Sequence, residues 1–234
     1  MGIEGTAQNR IAVLFARSDS VYKSLPGCDV YDIDRDARTY PGGSPVVAHP
    51  PCRAWGGLRH MAKPRDDEKL LALFALDQVR SFGGVLEHPA SSTLWPIAGL
   101  PSPGVIDDFG GFTFPILQSS FGHRADKPTF LYICGCLPAD LPSLPLRLGA
   151  ASHIIGTPGR RLDGSRLKKG DFGWRPEITK SEREHTPADL AFWLVDIARL
   201  ISVKKPRFSS CSVSTTATNR HKCLTPDTQL TPKF

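Results

Sequence analysis

The stretch "RDDEKLLALFALDQVRSFGGVLEHP", residues 65 to 89, decides the fold class. Its first twenty residues read as a helix over 65 to 84. Asp66 can cap it, acidic residues fill the first turn, and Leu70 and Phe74 belong to an apolar face. Gly83 and Gly84 end it, and "GVLEHP" follows as a buried strand closed by proline. Upstream, "RIAVLFA" (10–16), "CDVYDID" (28–34) and "SPVVAHPP" (44–51) are three more short apolar runs of strand type. Strand, helix and strand in this rhythm predict an α/β fold with a mostly parallel sheet and crossover helices.

Downstream, the Pro- and Gly-rich text from 95 to 116 reads as loop, and "PTFLYICG" (128–135) as a further strand. Residues 136–176 form a proline-rich and then basic insert. "TPADLAFWLVDIARLI" (186–201) is an amphipathic helix with Thr186 at its cap and Pro187 early. Trp95, Trp193, Phe112 and Phe114 are assigned to the core. The expected organisation is one domain over 1–201 and a disordered tail over 202–234.

The chain of 234 residues is long enough for a sizeable core. No run approaches the roughly 18 apolar residues of a membrane span, and "MGIEGTAQNR" lacks the apolar stretch of a signal peptide, so a soluble, cytoplasmic protein is expected. The six cysteines are then expected as free thiols, which argues against a disulfide-rich secreted module. No metal is expected: "CGC" (134–136) is too tight for a CxxC pair, and no histidines stand at finger spacing. The net charge of +6 favours a polyanionic partner. Much of the excess lies beyond Ser202, where six Lys and Arg residues face Asp227 alone.

"HPPCRAWG" (49–56) raises the chemical question. Two prolines stop ladder hydrogen bonding and force a rigid exit from the sheet. A thiol there stands at a strand's carboxyl end, where open α/β sheets put their ligands. A lone cysteine is more often core filler. Glu87 stands at an equivalent strand end, and a buried carboxylate without a partner is costly, so a structural pairing with Arg53, Arg59 or His88 is its alternative reading. Asp32 and Asp34 can cap the turn after their strand. His49 and His123 read as hydrogen-bonded structural residues.

Four stretches together resemble the DNA cytosine-5 methyltransferase family, in the compact, divergent form found among phage-type proteins. "HPPCRAWG" resembles the family's Pro-Pro-Cys motif, and "GGVLEHP" stands where the family has Glu-Asn-Val. "DVYDIDRDA" (29–37) resembles Asn-Glu-Ile-Asp-x-Asp-Ala, and "SSFGHRADKPTFLYICG" (119–135) resembles the late (Tyr/Phe)-Gly…(Arg/Lys)-strand motif. The resemblance implies a Rossmann-like, S-adenosylmethionine-dependent fold and methyl transfer to carbon 5 of a flipped cytosine, in a bacterial or phage-infected cell. It makes Cys52 the nucleophile and Glu87 the acid at ring nitrogen 3, with Arg124 beside them. Phe15, Asp32, Asp34 and Pro51 would hold S-adenosylmethionine, with Asp32 on the ribose hydroxyls. DNA would be the partner of Arg53, Lys127, and of Arg160, Arg161, Lys168 and Lys169 in the basic insert.

The chain departs from the family pattern at three places. After the first strand, "LFARSDSVYKSLPGC" has no glycine before Gly27, where the family has Phe-x-Gly-x-Gly. Arg17, Ser18, Asp19 and Lys23 there could instead bind an anion. Histidine and proline replace Asn-Val after Glu87, and Gly56 stands in place of the usual serine. The residues before the last helix are too few for an ordinary target-recognition domain. Two other functions stay open: a pyrimidine-modifying enzyme with another donor, and an inactive nucleic-acid-binding relative.

Overall fold

The computed structural model describes residues 10–204 except 58, 146, 157 and 158. Six strands form one mixed sheet: β1 (Ile11–Leu14), β2 (Cys28–Tyr31), β3 (Val46–Ala48), β4 (Gly84–Pro89), β5 (Phe112–Leu117) and β6 (Pro128–Cys134), in the order β2-β1-β3-β4-β6-β5. The first four run parallel, and β6 runs antiparallel to both β4 and β5. The α/β expectation therefore holds, while the sheet is mixed. The strand order explains the reversal. β5 runs in the same direction as β4 with one place between them, and the hairpin from β5 fills that place with β6, which is therefore antiparallel to both.

Alternation along each strand divides the core in two. Ala12, Leu14, Val46, Ala48, Leu86 and Tyr132 point to the face covered by α1 (Glu68–Phe82), through Ala72, Ala75, Leu76 and Val79. Ile11, Val13, Val47, Val85, Leu131 and Ile133 point to the face covered by α4 (Ala188–Val203), through Leu190, Leu194, Ile197, Ala198 and Ile201. Trp95, Trp193 and Phe112 are buried as expected, and Phe114 packs part-buried against Trp193.

Helix boundaries and faces differ from expectation in instructive ways. α1 starts at Glu68. Its N-cap is Asp67, without a side-chain cap bond, and Glu68 itself accepts the Arg65 N–H at 3.4 Å. Leu70 is exposed, because the inward stripe begins one residue later at Leu71. Gly83 takes φ 76° to end the helix, and a Cβ on Gly84 would lie 1.9 Å from the Val46 carbonyl oxygen, so only glycine lets β4 approach β3. α4 runs 188 to 203 rather than 186 to 201, with Pro187 as N-cap. Its last turn thus enters the segment expected to be disordered; residues 205–234 lie outside the described ones.

The region from 95 to 116 is not all loop. α2 (Leu94–Ile97) is a short helix, as is α3 (Lys180–Glu184) ahead of α4, and β5 carries Pro115 within a strand. That proline is tolerated because β5 is the edge strand.

Candidate active site

β1 lies between β2 and β3, so the connections leaving β1 and β2 cross to opposite sides. This is the topological switch point, where open α/β sheets leave a crevice at the strands' carboxyl ends. A cleft of about 950 Å³ lies there. Phe15, Ala16 and Ile33 reach it from the ends of β1 and β2, His49 to Arg53 from β3, and Glu87 from β4. Lys127, Lys180, Arg183 and His185 line its far wall. A smaller hollow of about 300 Å³ adjoins it, lined by Asp32, Asp36, Arg38, Arg65 and Leu71. Phe15, Ala16, Ile33 and Pro51 line both.

Cys52 is exposed, and its loop is pinned rather than loose. The Cys52 carbonyl accepts the N–H groups of Trp55 and Gly56 at 3.0 and 2.7 Å, closing one helical turn. Trp55, almost wholly buried, donates its indole N–H to the Lys69 carbonyl at 3.1 Å and accepts the Thr93 N–H at 2.9 Å. Arg53 grips the fully buried Glu68 through Nε (3.0 Å to Oε1) and Nη2 (2.5 Å to Oε2). Bidentate pairs of this kind add geometric definition as well as energy. Partial withdrawal from water raises the Cys52 thiol above its ordinary value; the Glu87 charge adds to this and Lys127 opposes it.

Glu87 follows Val85 on the α4 face of the sheet, and His49 follows Val47 on the same face. None of the partners considered from sequence, Arg53, Arg59 or His88, is its hydrogen-bond partner. His49 Nδ1 lies 3.1 Å from Glu87 Oε2, and Gln118 Nε2 donates to Oε1 at 3.0 Å. Burial alone would raise this carboxyl. Lys127 and the bond and charge of His49 outweigh burial and hold it at about 2, so it is ionised at neutral pH. The other side of His49 meets Tyr22, with Nε2 2.9 Å from Oη.

His88 points the opposite way, into the α1 face, and is fully buried. Neither ring nitrogen has a hydrogen-bond partner among the described residues. Burial depresses it to about 4, against the Glu87 charge and the nearby Pro51 carbonyl.

The remaining expected residues divide. Asp32 lies in the hollow with its side chain 7% exposed and both oxygens engaged. Oδ1 accepts the N–H groups of Asp34 and Arg35 at 3.0 and 3.1 Å, and Oδ2 pairs with Lys23 at 2.5 Å. The turn-capping reading of Asp32 is thus realised. Asp34 is exposed, contributes a backbone donor to that turn, and lines neither cavity. Phe15 adopts φ 62°, the one left-handed non-glycine backbone among the described residues, and its ring meets Phe74 edge-on at 6.4 Å. Arg124 lines neither cavity; it forms a two-pronged pair with Glu182 and meets His153 Nε2 at 3.2 Å. Arg17 is held by Asp19 and Glu184, both at 2.9 Å.

In the basic insert, Arg160 pairs with Arg166 in an isolated bridge, and Arg161 grips Asp171 at 2.6 Å. Lys168 and Lys169 are exposed beside fully exposed Phe172. His49, Tyr22 and Gln118 are the site residues that sequence reading missed. For His49 the signal was present: in a strand with inward Val47, the next same-face position is 49.

Cys28, Cys52, Cys134 and Cys136 are free thiols, and Cys211 and Cys223 lie outside the described residues. Among the described residues no group of three or more His, Cys, Asp or Glu could hold a metal ion, and no helix is long and apolar enough to cross a membrane. Comparison of the chain with protein-family models, characterised proteins and solved structures finds no match.

Proposed function

We propose that the chain is a DNA cytosine-5 methyltransferase-like enzyme with a Rossmann-like fold, using Cys52 as nucleophile and Glu87 as the group that handles the ring proton. One observation carries this reading: Cys52 and Glu87, far apart in sequence, line one cleft at the switch point. The hollow next to it contains three of the four residues expected for the methyl donor, Phe15, Asp32 and Pro51.

The chemistry follows from the charge states. Carbon 5 of cytosine becomes nucleophilic only when sulfur adds to carbon 6. In the free site Cys52 is a thiol and Glu87 a carboxylate. The first step moves the thiol proton to ring nitrogen 3 by way of Glu87. A sulfur–carbon 6 bond forms as the carbon 5–carbon 6 π pair shifts to carbon 4–carbon 5, and the carbon 4–nitrogen 3 π pair moves onto nitrogen 3, which takes the proton and leaves the enamine. Lys127, whose charge lowers both groups, favours the thiolate on the way. The target base must leave its stack to enter the cleft.

The donor fits the hollow in chemical kind. Phe15, Ile33, Pro51 and Leu71 offer apolar walls to a purine, and Ile33 is otherwise exposed. Asp32 would hold ribose hydroxyls once Lys23 yields its place on Oδ2. S-adenosylmethionine bound there would supply an electrophilic methyl group. Phe15 with φ 62° makes the backbone bend at the end of β1 that glycine would otherwise make.

DNA is the proposed partner, through Lys127 at the cleft and Arg160, Arg161, Lys168 and Lys169 in the insert, with fully exposed Phe172 able to stack on a base. The deciding experiment incubates the full chain with isotopically labelled S-adenosylmethionine and a duplex containing 5-fluorocytosine. A covalent protein–DNA adduct that is absent in Cys52→Ala supports the reading. If no adduct forms on any duplex and calorimetry detects no donor binding at millimolar concentration, the reading fails.

A further inference from the structure

The cleft holds a largely buried chain of four polar side chains from four different elements. Tyr22 comes from the turn after β1, His49 from the end of β3, Glu87 from β4 and Gln118 from the end of β5. Tyr22 Oη lies 2.9 Å from His49 Nε2, and the two rings stack at 5.4 Å with a 39° tilt. His49 Nδ1 lies 3.1 Å from Glu87 Oε2, and Gln118 Nε2 bonds both Glu87 Oε1 (3.0 Å) and Thr129 Oγ1 (3.1 Å).

Each group's chemistry constrains the next. Thr129 Oγ1 donates to the Lys127 carbonyl at 3.0 Å, so toward Gln118 it accepts. The Gln118 amide therefore turns its NH₂ inward to Thr129 and Glu87, and its carbonyl oxygen is left buried without a partner among the described residues. The opposite amide orientation would suit a protonated Glu87, and it would leave two acceptors facing Thr129. With Oε1 accepting from Gln118, the ionised carboxylate also accepts at Oε2. His49 must then carry its proton on Nδ1, and its Nε2 receives the Tyr22 hydroxyl proton, for which no other acceptor lies within bonding distance among the described residues.

We propose that His49 is a positioning residue for Glu87: its Nδ1–H tautomer, fixed by Tyr22, aims the carboxylate into the cleft and keeps it free of a proton. The inference concerns any reaction that uses Glu87, and its role in methyl transfer rests on the reading above. The charged and titratable groups that act on Glu87 are Lys127 from the β5–β6 connection, His49, Cys52 and Tyr22 on its own side, and its neighbour His88 from the other face of the sheet. Of these only His49 is hydrogen-bonded to it. Lys127 supplies charge without direction, whereas the neutral His49 ring supplies direction through its Nδ1–H.

The test is nuclear magnetic resonance on the full chain, which needs no donor and no DNA. Nitrogen shifts of the histidine rings should give His49 as the Nδ1–H tautomer, and Tyr22→Phe should loosen that preference. The Glu87 carboxyl carbon, assigned with Glu87→Gln, should titrate about one pH unit or more higher in His49→Phe. His49→Asn, which keeps an N–H near the Nδ1 place, should restore most of the difference. An unchanged Glu87 titration in His49→Phe, or a ring protonated on Nε2 alone, overturns the proposal. Should His49→Phe not fold, the tautomer and the His49→Asn titration decide in its place. Correct titrations without methyl transfer would instead count against the methyltransferase reading and leave this one standing.

Discussion

Glu87 and His88 are adjacent on β4 and flank the same exit loop from opposite faces of the sheet. Glu87 meets His49 at 3.1 Å on the α4 face, while His88 is buried on the α1 face close to the Pro51 carbonyl. Alternation along the strand places the rigid His49–Cys52 exit between two side chains of one dipeptide. The two groups also titrate differently, and this gives separate pH signatures.

His88 is neutral in the folded chain down to about 4, whereas an unfolded histidine takes up a proton below its ordinary value near 6.5. Between those values the unfolded state binds more protons, so stability falls as the pH drops from about 6.5 to 4. At pH 5 the loss is about 2 kcal/mol. His88→Leu should therefore gain on the native protein by roughly that amount at pH 5 relative to pH 8. Urea unfolding at both values checks it; an equal difference at each means that His88 is charged when folded.

Glu87 has a folded value depressed to about 2 against 4.5 for the free side chain. Its contribution is present in full above about 4.5 and is lost as the pH falls toward 2. The shift corresponds to about 3 kcal/mol. Glu87→Gln should cost a loss of that order at pH 7 and show a shallower decline below pH 4.5. The gap between the two proteins in urea unfolding should narrow from about 3 kcal/mol at pH 7 to about 2 kcal/mol at pH 3.5; an unchanged gap would mean that Lys127 and His49 do not stabilise the charge.

The Cys52 loop depends on a side chain that the sequence suggested for nucleic acid. Arg53 has two of its nitrogens on Glu68, which is fully buried at the start of α1. Removing Arg53 leaves that carboxylate unpaired. Because the guanidinium is itself about half exposed, the cost of Arg53→Ala is discounted to about 2 kcal/mol. Arg53→Lys should recover less than half, since an ammonium cannot reproduce the fork. Urea unfolding measures both. If Arg53→Ala keeps full stability and loses only nucleic-acid binding, the clamp is unimportant.

Much of this arrangement was legible in the sequence, and the illegible parts share a cause. Short apolar runs, two amphipathic helices and proline-terminated strands fix β1 to β4, α1 and α4, and they put Cys52 and Glu87 at one sheet edge, although the caps expected at Asp66 and Thr186 do not form. β5 was hidden because Pro115 and the surrounding glycines carry turn chemistry, and only its edge position makes a strand there acceptable. The reversal of β6 follows from that hidden strand. At the site, local text cannot say that Arg53 turns to Glu68 or Arg124 to Glu182, because those partners come from tertiary approach. His49 reads as a structural histidine in isolation, and its meaning comes from Glu87, which is 38 positions away.

The Asp32–Lys23 pair gives the last prediction and bears on the donor hollow. Asp32 is fixed by two backbone N–H groups on Oδ1, so its orientation does not need Lys23. Lys23 Nζ, on a half-exposed side chain, occupies Oδ2 at 2.5 Å, where a ribose hydroxyl would bond. Together, hydrogen bonding from Lys23, the backbone N–H groups and the lysine charge outweigh burial and lower the Asp32 carboxyl, so it is an anion and a strong acceptor at neutral pH. Lys23→Gln removes a competing charge and keeps the turn. It should tighten S-adenosylmethionine binding about threefold to tenfold, a change of about 1 kcal/mol. Asp32→Ala should abolish binding, and neither substitution should move the thermal midpoint by more than a few degrees. Calorimetric titration of the three proteins under one buffer reads this directly. Weaker binding in Lys23→Gln would mean that the ammonium contacts the ligand, as an anion-binding residue does. In that case the hollow takes a phosphorylated ligand rather than the sulfonium donor.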